Sequence, residues 1–217
     1  MNVTERHKRK FLDFVYKELK HKQELNVLEF GVSERGLSTS LFLKLCERNN
    51  GNLISVDINK NSKKFNSKYW TFINCRDDDY KTIESKIINQ KFDVIYLDTI
   101  HKAQHVKKII YHYYNYLKIG GFFYVDDTSC LPYLKTREKN NFSQEINNLE
   151  TFEKILEIYN SNHESLNLEF SFVGTGIAKL QKLNSMKLSN ETNIRFRKYS
   201  FLNILRKILL GVKKIFS

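Results

Sequence analysis

The sequence predicts an α/β fold, a mostly parallel sheet covered by helices on both faces and closed by an antiparallel last strand. Three observations predict it. Short apolar runs bounded by turn residues alternate with amphipathic stretches of ten or more residues, the pattern of crossover units. An early apolar run ends on a glycine turn, "NVLEFGVSERGLSTSLFL" (26–43), from which a helical pattern starts. Late in the chain, LNLEFSF and IAKLQK are separated only by the turn VGTG, too tight for anything but an antiparallel pair.

Each element has its own signal. Residues 4–21 place Phe11, Phe14, Val15 and Leu19 at helical spacing, which predicts a first helix. Val27–Val32 reads as a buried strand and Ser38–Arg48 as the helix after it. NLISVD (52–57) is a second strand and, beyond a lysine-rich helical piece, YWTFINC (69–75) a third. DDYKTIESKIIN predicts a short helix and FDVIYLD (92–98) a fourth strand. KAQHVKKIIYHYYNYLK follows as a helix stopped by Gly120 and Gly121, with FFYVDD (122–127) as a fifth strand. A loop holding the only proline, Pro132, leads to a helix over Gln144–Tyr159 and then to the antiparallel pair. The expected organisation is an N-terminal helix (1–23), one domain (24–181) and a basic tail (182–217).

Composition narrows the class. A chain of 217 residues with 41% hydrophobic content can bury a sizeable core and is too apolar for disorder. No uncharged apolar run of about 18 residues predicts a spanning helix, and MNVTERHKRKFLDF lacks the apolar centre of a secretory signal, so the expected compartment is the cytoplasm. Cys46, Cys75 and Cys130 are odd in number and widely spaced, which argues against a disulfide framework or a thiolate zinc site. From Lys182 onward nine Lys and Arg stand against the single Glu191, so +8 of the net +12 belongs to the tail.

Ligands of open α/β sheets bind at the carboxyl ends of the strands, which makes the first glycine turn the first place to look. A phosphate loop needs GxxxxGK[ST], and GVSERGLS has Leu37 where the lysine must stand. A dinucleotide turn needs GxGxxG, and Ser33 occupies its second glycine. What remains is a turn for an uncharged ribose with an amino-acid moiety, with Glu29 at the strand end and Gly31 and Gly36 in the loop, or a turn that holds no ligand. Asp57 closes the second strand, where a carboxylate can accept both ribose hydroxyls. The third strand runs into CRDDDY, whose acids are either ligand-facing or solvated.

The pattern E-x-G-x-x-x-x-G-x-S resembles motif I of class I S-adenosylmethionine (SAM)-dependent methyltransferases. The resemblance covers about residues 24–181 and implies a Rossmann-like, seven-stranded sheet. It implies SAM as cofactor, held by Glu29, Gly31, Ser33, Gly36, Ser38 and Asp57, with Asp77 or Asp78 reaching the adenine amino group.

Methyl transfer from a sulfonium is an in-line displacement, so the nucleophile must be aligned and made more basic. The fourth and fifth strands end in YLDTIHK and YVDDTS, which brings Asp98, Asp126 and Asp127 to one edge of the sheet. Carboxylates so gathered repel, and a shared proton or a cation is expected; alternatively Asp126 and Asp127 cap the following turn. This arrangement resembles the metal-dependent O-methyltransferases of the catechol and sugar or macrolide type. By that resemblance Asp98, Asp126 and Asp127 would ligate Mg²⁺, and the cation would lower the pKa of the acceptor hydroxyl. His101 stands three residues after Asp98, at the expected start of a helix, where the positive helix end favours the neutral imidazole of a general base. His105 and His112 lie farther along that helix, and without Cys or HExxH context they read as ordinary histidines.

The expected function is therefore methyl transfer to a hydroxyl of a small molecule or glycan, with Asp98 and His101 in the chemistry. The loop Thr128–Ser143 is expected to cover the acceptor. Two rivals are a SAM-binding scaffold docked by its tail to a membrane or protein, and an RNA methyltransferase. Amino-methylating nucleic-acid enzymes carry [DN]-P-P-[YF] after strand four, C5-methylating ones a Pro-Cys pair, and neither occurs, so DNA is not an expected partner. In YSFLNILRKILLGVKKIFS, Phe201, Leu205, Ile208, Val212 and Ile215 recur at three- and four-residue steps, widened by Leu202 and Leu209. Arg206, Lys207, Lys213 and Lys214 fall largely on the other side. Such a helix suits the anionic inner face of a membrane; packing on the protein's own sheet or in a homo-oligomer is the competing expectation.

Overall fold

Val27 and Leu28 point to opposite faces of strand β1 (Asn26–Phe30), yet both are fully buried. A strand buried on both faces needs helices above and below it, and the computed structural model has that arrangement. It describes residues 11–32, 36–60, 65–129, 142–194 and 200–215. In chain order the elements are α1 (a π-helical Leu12–Tyr16 continued by Lys17–Leu19), β1, α2 (Leu37–Arg48), β2 (Asn52–Asp57), β3 (Trp70–Asn74), α3 (Tyr80–Lys86), β4 (Phe92–Leu97), α4 (Ala103–Tyr113), β5 (Leu117–Asp126), α5 (Phe142–Asn162), β6 (Leu166–Ser171), β7 (Ile177–Lys182) and α6 (Phe201–Ile215).

The seven strands pair in the order β3-β2-β1-β4-β5-β7-β6. Strands β1 to β5 are parallel, whereas β7 runs antiparallel to both β5 and β6. Chain order reverses between β1 and β4, so their carboxyl ends open a crevice. Alternating side chains divide the core in two. Leu28, Phe30, Ile54, Ile95 and Phe123 pack with Ile83 of α3, Val106, Ile109 and Tyr113 of α4, and Ile155 and Ile158 of α5. Val27, Leu53, Val94, Tyr96 and Tyr124 pack on the other face with Phe11, Val15 and Leu19 of α1 and with Phe42 and Cys46 of α2.

One boundary corrects the sequence reading. Gly120 and Gly121 do not stop a helix; α4 ends at Tyr113 and passes through a single 3₁₀ turn, Tyr114–Tyr116, so both glycines lie within β5. The β4–β5 register jumps from Phe92↔Leu117 to Val94↔Phe122, which marks a bulge there. A β-carbon on Gly121 would come within 3.0 Å of the Asp93 carbonyl, so glycine serves strand pairing rather than helix capping.

Candidate functional site

A cavity of about 260 Å³ lies at the carboxyl ends of β1, β2 and β4, lined by Gly31, Val56, Asp57, Ile58, Cys75, Arg76, Asp77, Asp98, Thr99 and Ile100. Its floor depends on Gly31. That residue adopts φ +93°, donates its N–H to the Val56 carbonyl at 2.9 Å, and would place a β-carbon 2.0 Å from the Asp98 carbonyl oxygen. Only a residue without a side chain lets β1 pass this close to the end of β4. Gly36 has left-handed φ +55° at the N-terminus of α2, as a turn from strand to helix requires. Ser33, also expected in this turn, lies outside the described residues.

Asp57 stands at the mouth of the cavity. One carboxylate oxygen accepts the Val32 N–H at 2.6 Å and the other the Asn59 N–H at 2.7 Å, so main chain fixes the group on both sides. Each oxygen still has lone-pair capacity for a hydroxyl donor.

The two acids of the third strand's end part company. Asp77 is 6% exposed, lines the cavity, accepts the Thr99 hydroxyl and lies 2.7 Å from His105 Nε2. Asp78 pairs with Arg76 at 2.7 Å near the surface, where that guanidinium holds its carboxyl below the usual range. Of the two, Asp77 is the one that lines the cavity. His105, read as an ordinary histidine, is the residue sequence reasoning passed over: it comes from the first turn of α4 to meet an acid 28 positions earlier. His112 stacks on Tyr80 with ring centroids 3.7 Å apart. Burial pushes the Cys75 thiol up to about 11, so at neutral pH it is a neutral wall of the cavity.

Glu29 and Ser38 do not line the cavity. Glu29 is fully buried and its two oxygens accept the Ser38 and Ser55 hydroxyls, each at 2.7 Å, while Trp70 Nε1 donates to Ser55 at 2.9 Å. The pair joins β1, β2 and the start of α2 beneath the turn, so it shapes the turn without facing a ligand there. Desolvation raises the Glu29 carboxyl from 4.5 to about 7 against the lowering effect of both serines, and the charge of Asp57 adds to the rise. Between those two values the folded protein holds a proton that the unfolded chain has released. Stability should therefore fall as pH rises through this window, by about 3 kcal/mol in all, at about 1.4 kcal/mol per unit. In urea unfolding at a series of pH values, Glu29→Gln is expected to flatten that fall; parallel curves for the two proteins would place the titration elsewhere.

A second group of side chains stands at the ends of β4 and β5. His101 Nε2 lies 3.5 Å from Asp98 Oδ1 and 3.5 Å from Asp127 Oδ2, so one imidazole sits between carboxylates of two strands. Helix α4 begins at Ala103 with Lys102 at its N-cap, which leaves His101 in the preceding loop. The expected helix-end field is replaced by two carboxylates. Asp126 is 2% exposed; its oxygens accept the Tyr96 hydroxyl and the Asp127 N–H, both at 2.8 Å. Burial and the Asp126 charge hold the Tyr96 hydroxyl well above its ordinary value, so it remains the donor. Asp127 takes φ +57°, turned towards His101 and within 3.3 Å of Gln144 Nε2.

Asp98, Asp126 and Asp127 offer hard carboxylate oxygens at the ends of adjacent strands, the donor type a divalent cation takes, but their ligand atoms are not gathered within 4.8 Å of one another. Among the described residues, the group that does bring its ligand atoms within 4.8 Å of one another is Asp77, Asp78 and His105. That cluster lies beyond β3 and has Asp78 engaged by Arg76.

The sequence profile of a family described as "Methyltransferase domain" matches residues 28–128, the stretch from β1 to just past Asp127. Over that stretch, 101 of the 217 residues, the chain is similar to a methyltransferase domain. No curated protein sequence matches the chain. Among solved structures, the methyltransferase MycE of the mycinamycin biosynthetic pathway, in complex with Mg, SAH and mycinamycin VI, aligns with TM-score 0.59 and 15% identity over 88% of this chain. The chain spans 57% of MycE's length. A Staphylococcus aureus protein provisionally named a caffeoyl-CoA O-methyltransferase aligns with TM-score 0.60 and 15% identity over 79% of this chain and 82% of its own. The SAH-bound Podospora anserina methyltransferase PaMTH1 gives 0.56 and 13% over 84% and 88%. At these identities the chain shares a fold with them.

Proposed function

We propose that the protein transfers a methyl group from SAM to a hydroxyl oxygen of a small molecule or glycan, with Mg²⁺ held by Asp98, Asp126 and Asp127. The observation that carries this reading is His101, set between Asp98 and Asp127 at 3.5 Å from each, beside a cavity that Asp98 also lines. Bound SAM supplies an electrophilic methyl carbon. In this reading Asp57 accepts the ribose hydroxyls, Asp77 faces the adenine end with His105 and Thr99 fixing its carboxylate, and Gly31 lets the amino-acid end lie against the backbone. His101 takes the acceptor's proton at Nε2, and Asp98 and Asp127, each 3.5 Å from that nitrogen, stabilise the charge it gains. A cation at the three carboxylates would make the acceptor hydroxyl more acidic. MycE, a fold neighbour whose structure is a complex with Mg, SAH and mycinamycin VI, is the reason a cation is included in this reading.

Turnover on a panel of sugar and phenol acceptors separates this reading from a SAM-binding scaffold. For any acceptor that turns over, EDTA should abolish transfer and added Mg²⁺ restore it. Undiminished transfer in chelator would remove the cation and leave His101 as the base alone.

A further inference from the structure

Helix α6 carries an apolar face that the described residues leave exposed. Phe201, Leu202, Ile204, Leu205, Ile208 and Leu209 are all exposed, from 39% at Leu205 to 74% at Phe201. Packing on the protein's own sheet, one of the two sequence expectations, is therefore not how these side chains are placed. At 3.6 residues per turn the six fall within an arc of about 160°. Arg206, Lys207, Lys213 and Lys214 occupy the opposite arc by their spacing, and Phe201–Ile215 contains no acidic residue.

We propose that α6 docks the protein on an anionic lipid bilayer, lying in the headgroup plane with its apolar arc turned into the acyl region. Charge decides the occupant. A stripe flanked by four cations fits an apolar medium rimmed with anions, and each cation near such a surface contributes about 1 kcal/mol. A second copy of this chain offers the wrong sign, at net +12. Length agrees, since 15 residues make about 22 Å of helix, short of the about 30 Å of hydrocarbon. Among the described residues no helix is long and apolar enough to cross a membrane.

The segment ahead of α6 is anchored. Glu191 pairs with Lys107 of α4 at 2.5 Å and Lys154 of α5 at 3.5 Å, the Ser189 N–H donates to Asn162 at 2.6 Å, and the Ile194 N–H to Glu157 at 3.3 Å. The docking helix thus follows a stretch fixed to the catalytic domain up to Ile194.

The test is co-sedimentation of the full chain with phosphatidylcholine vesicles, with and without phosphatidylglycerol. The protein should pellet with the anionic vesicles alone and return to the supernatant as salt rises. Arg206→Glu with Lys207→Glu should lower partition by about fivefold or more for each cation lost. Ile208→Asp with Leu209→Asp, changes at exposed positions, should abolish it with circular dichroism and SAM affinity unchanged. Equal recovery from both vesicle types, or pelleting that survives the aspartates, overturns the proposal. So does a dimer in sedimentation equilibrium that the aspartates dissociate, because the apolar face then belongs to a second copy.

Discussion

Gly31→Ala is expected to remove most of the protein's stability margin and its SAM binding together. The new β-carbon would stand 2.0 Å from the Asp98 carbonyl oxygen and 2.8 Å from its carbon, and both are main chain, so no side chain can swing away. The backbone must also keep φ +93°, which a residue with a β-carbon holds at about 1–3 kcal/mol of strain. Relief means moving β1 from β4, which breaks the Asp98 N–H bond to the Phe30 carbonyl at 2.9 Å and the Gly31 N–H bond to Val56. Strain and lost packing together should reach about 3–5 kcal/mol, a large share of the about 5–15 kcal/mol that holds a domain folded. Gly174→Ala is the matched control: its φ is +67°, but nothing lies within 4 Å of the added carbon, so strain alone applies. Urea midpoints and SAM calorimetry on both variants decide. Equal midpoints would mean the turn is free to relax and does not depend on glycine.

How much of this was legible follows from where each signal is stored. Strands were legible because burial on both faces writes continuous apolar runs such as Phe92–Leu97, and the antiparallel β7 because five residues cannot carry a crossover. Gly31 and Asp57 were legible because each ends a strand, and the strand end fixes where the residue stands. Asp77 and Asp78 could not be separated in sequence, since both follow β3 in a turn; in the fold Arg76 pairs with Asp78 while Asp77 lines the cavity. His105 was illegible for the opposite reason. Its meaning lies in an acid from another crossover unit, and helical spacing alone carries no such contact. Glu29 shows a motif residue whose position was right while its direction was not: strand alternation turns it into the α2 face, where Ser38 and Ser55 take it up. Gly120 and Gly121 misled because a glycine pair punctuates a helix and a bulge alike.

His101→Ala should slow methyl transfer by about 10²- to 10⁴-fold, or about 3–5 kcal/mol of barrier, while SAM affinity stays as it was. The split follows from position. The imidazole does not line the cavity of Gly31, Asp57 and Asp77, so cofactor contacts survive its loss, whereas the acceptor loses the group placed to take its proton. A structural role predicts a different outcome, because a histidine that only links Asp98 to Asp127 would alter folding or cation affinity and leave the pH dependence of kcat in place. Two readouts separate the cases. A base that must be unprotonated gives kcat an acidic limb, and that limb should vanish in the alanine variant. The side chain is 26% exposed, so added imidazole can reach the vacated space and should recover part of the rate. Asp127→Asn should lower kcat less than His101→Ala, since it removes one of the two charges facing the ring and leaves the ring itself. If His101→Ala keeps both its rate and its acidic limb, proton transfer does not pass through this residue, and the carboxylates of β4 and β5 must act on the acceptor without it.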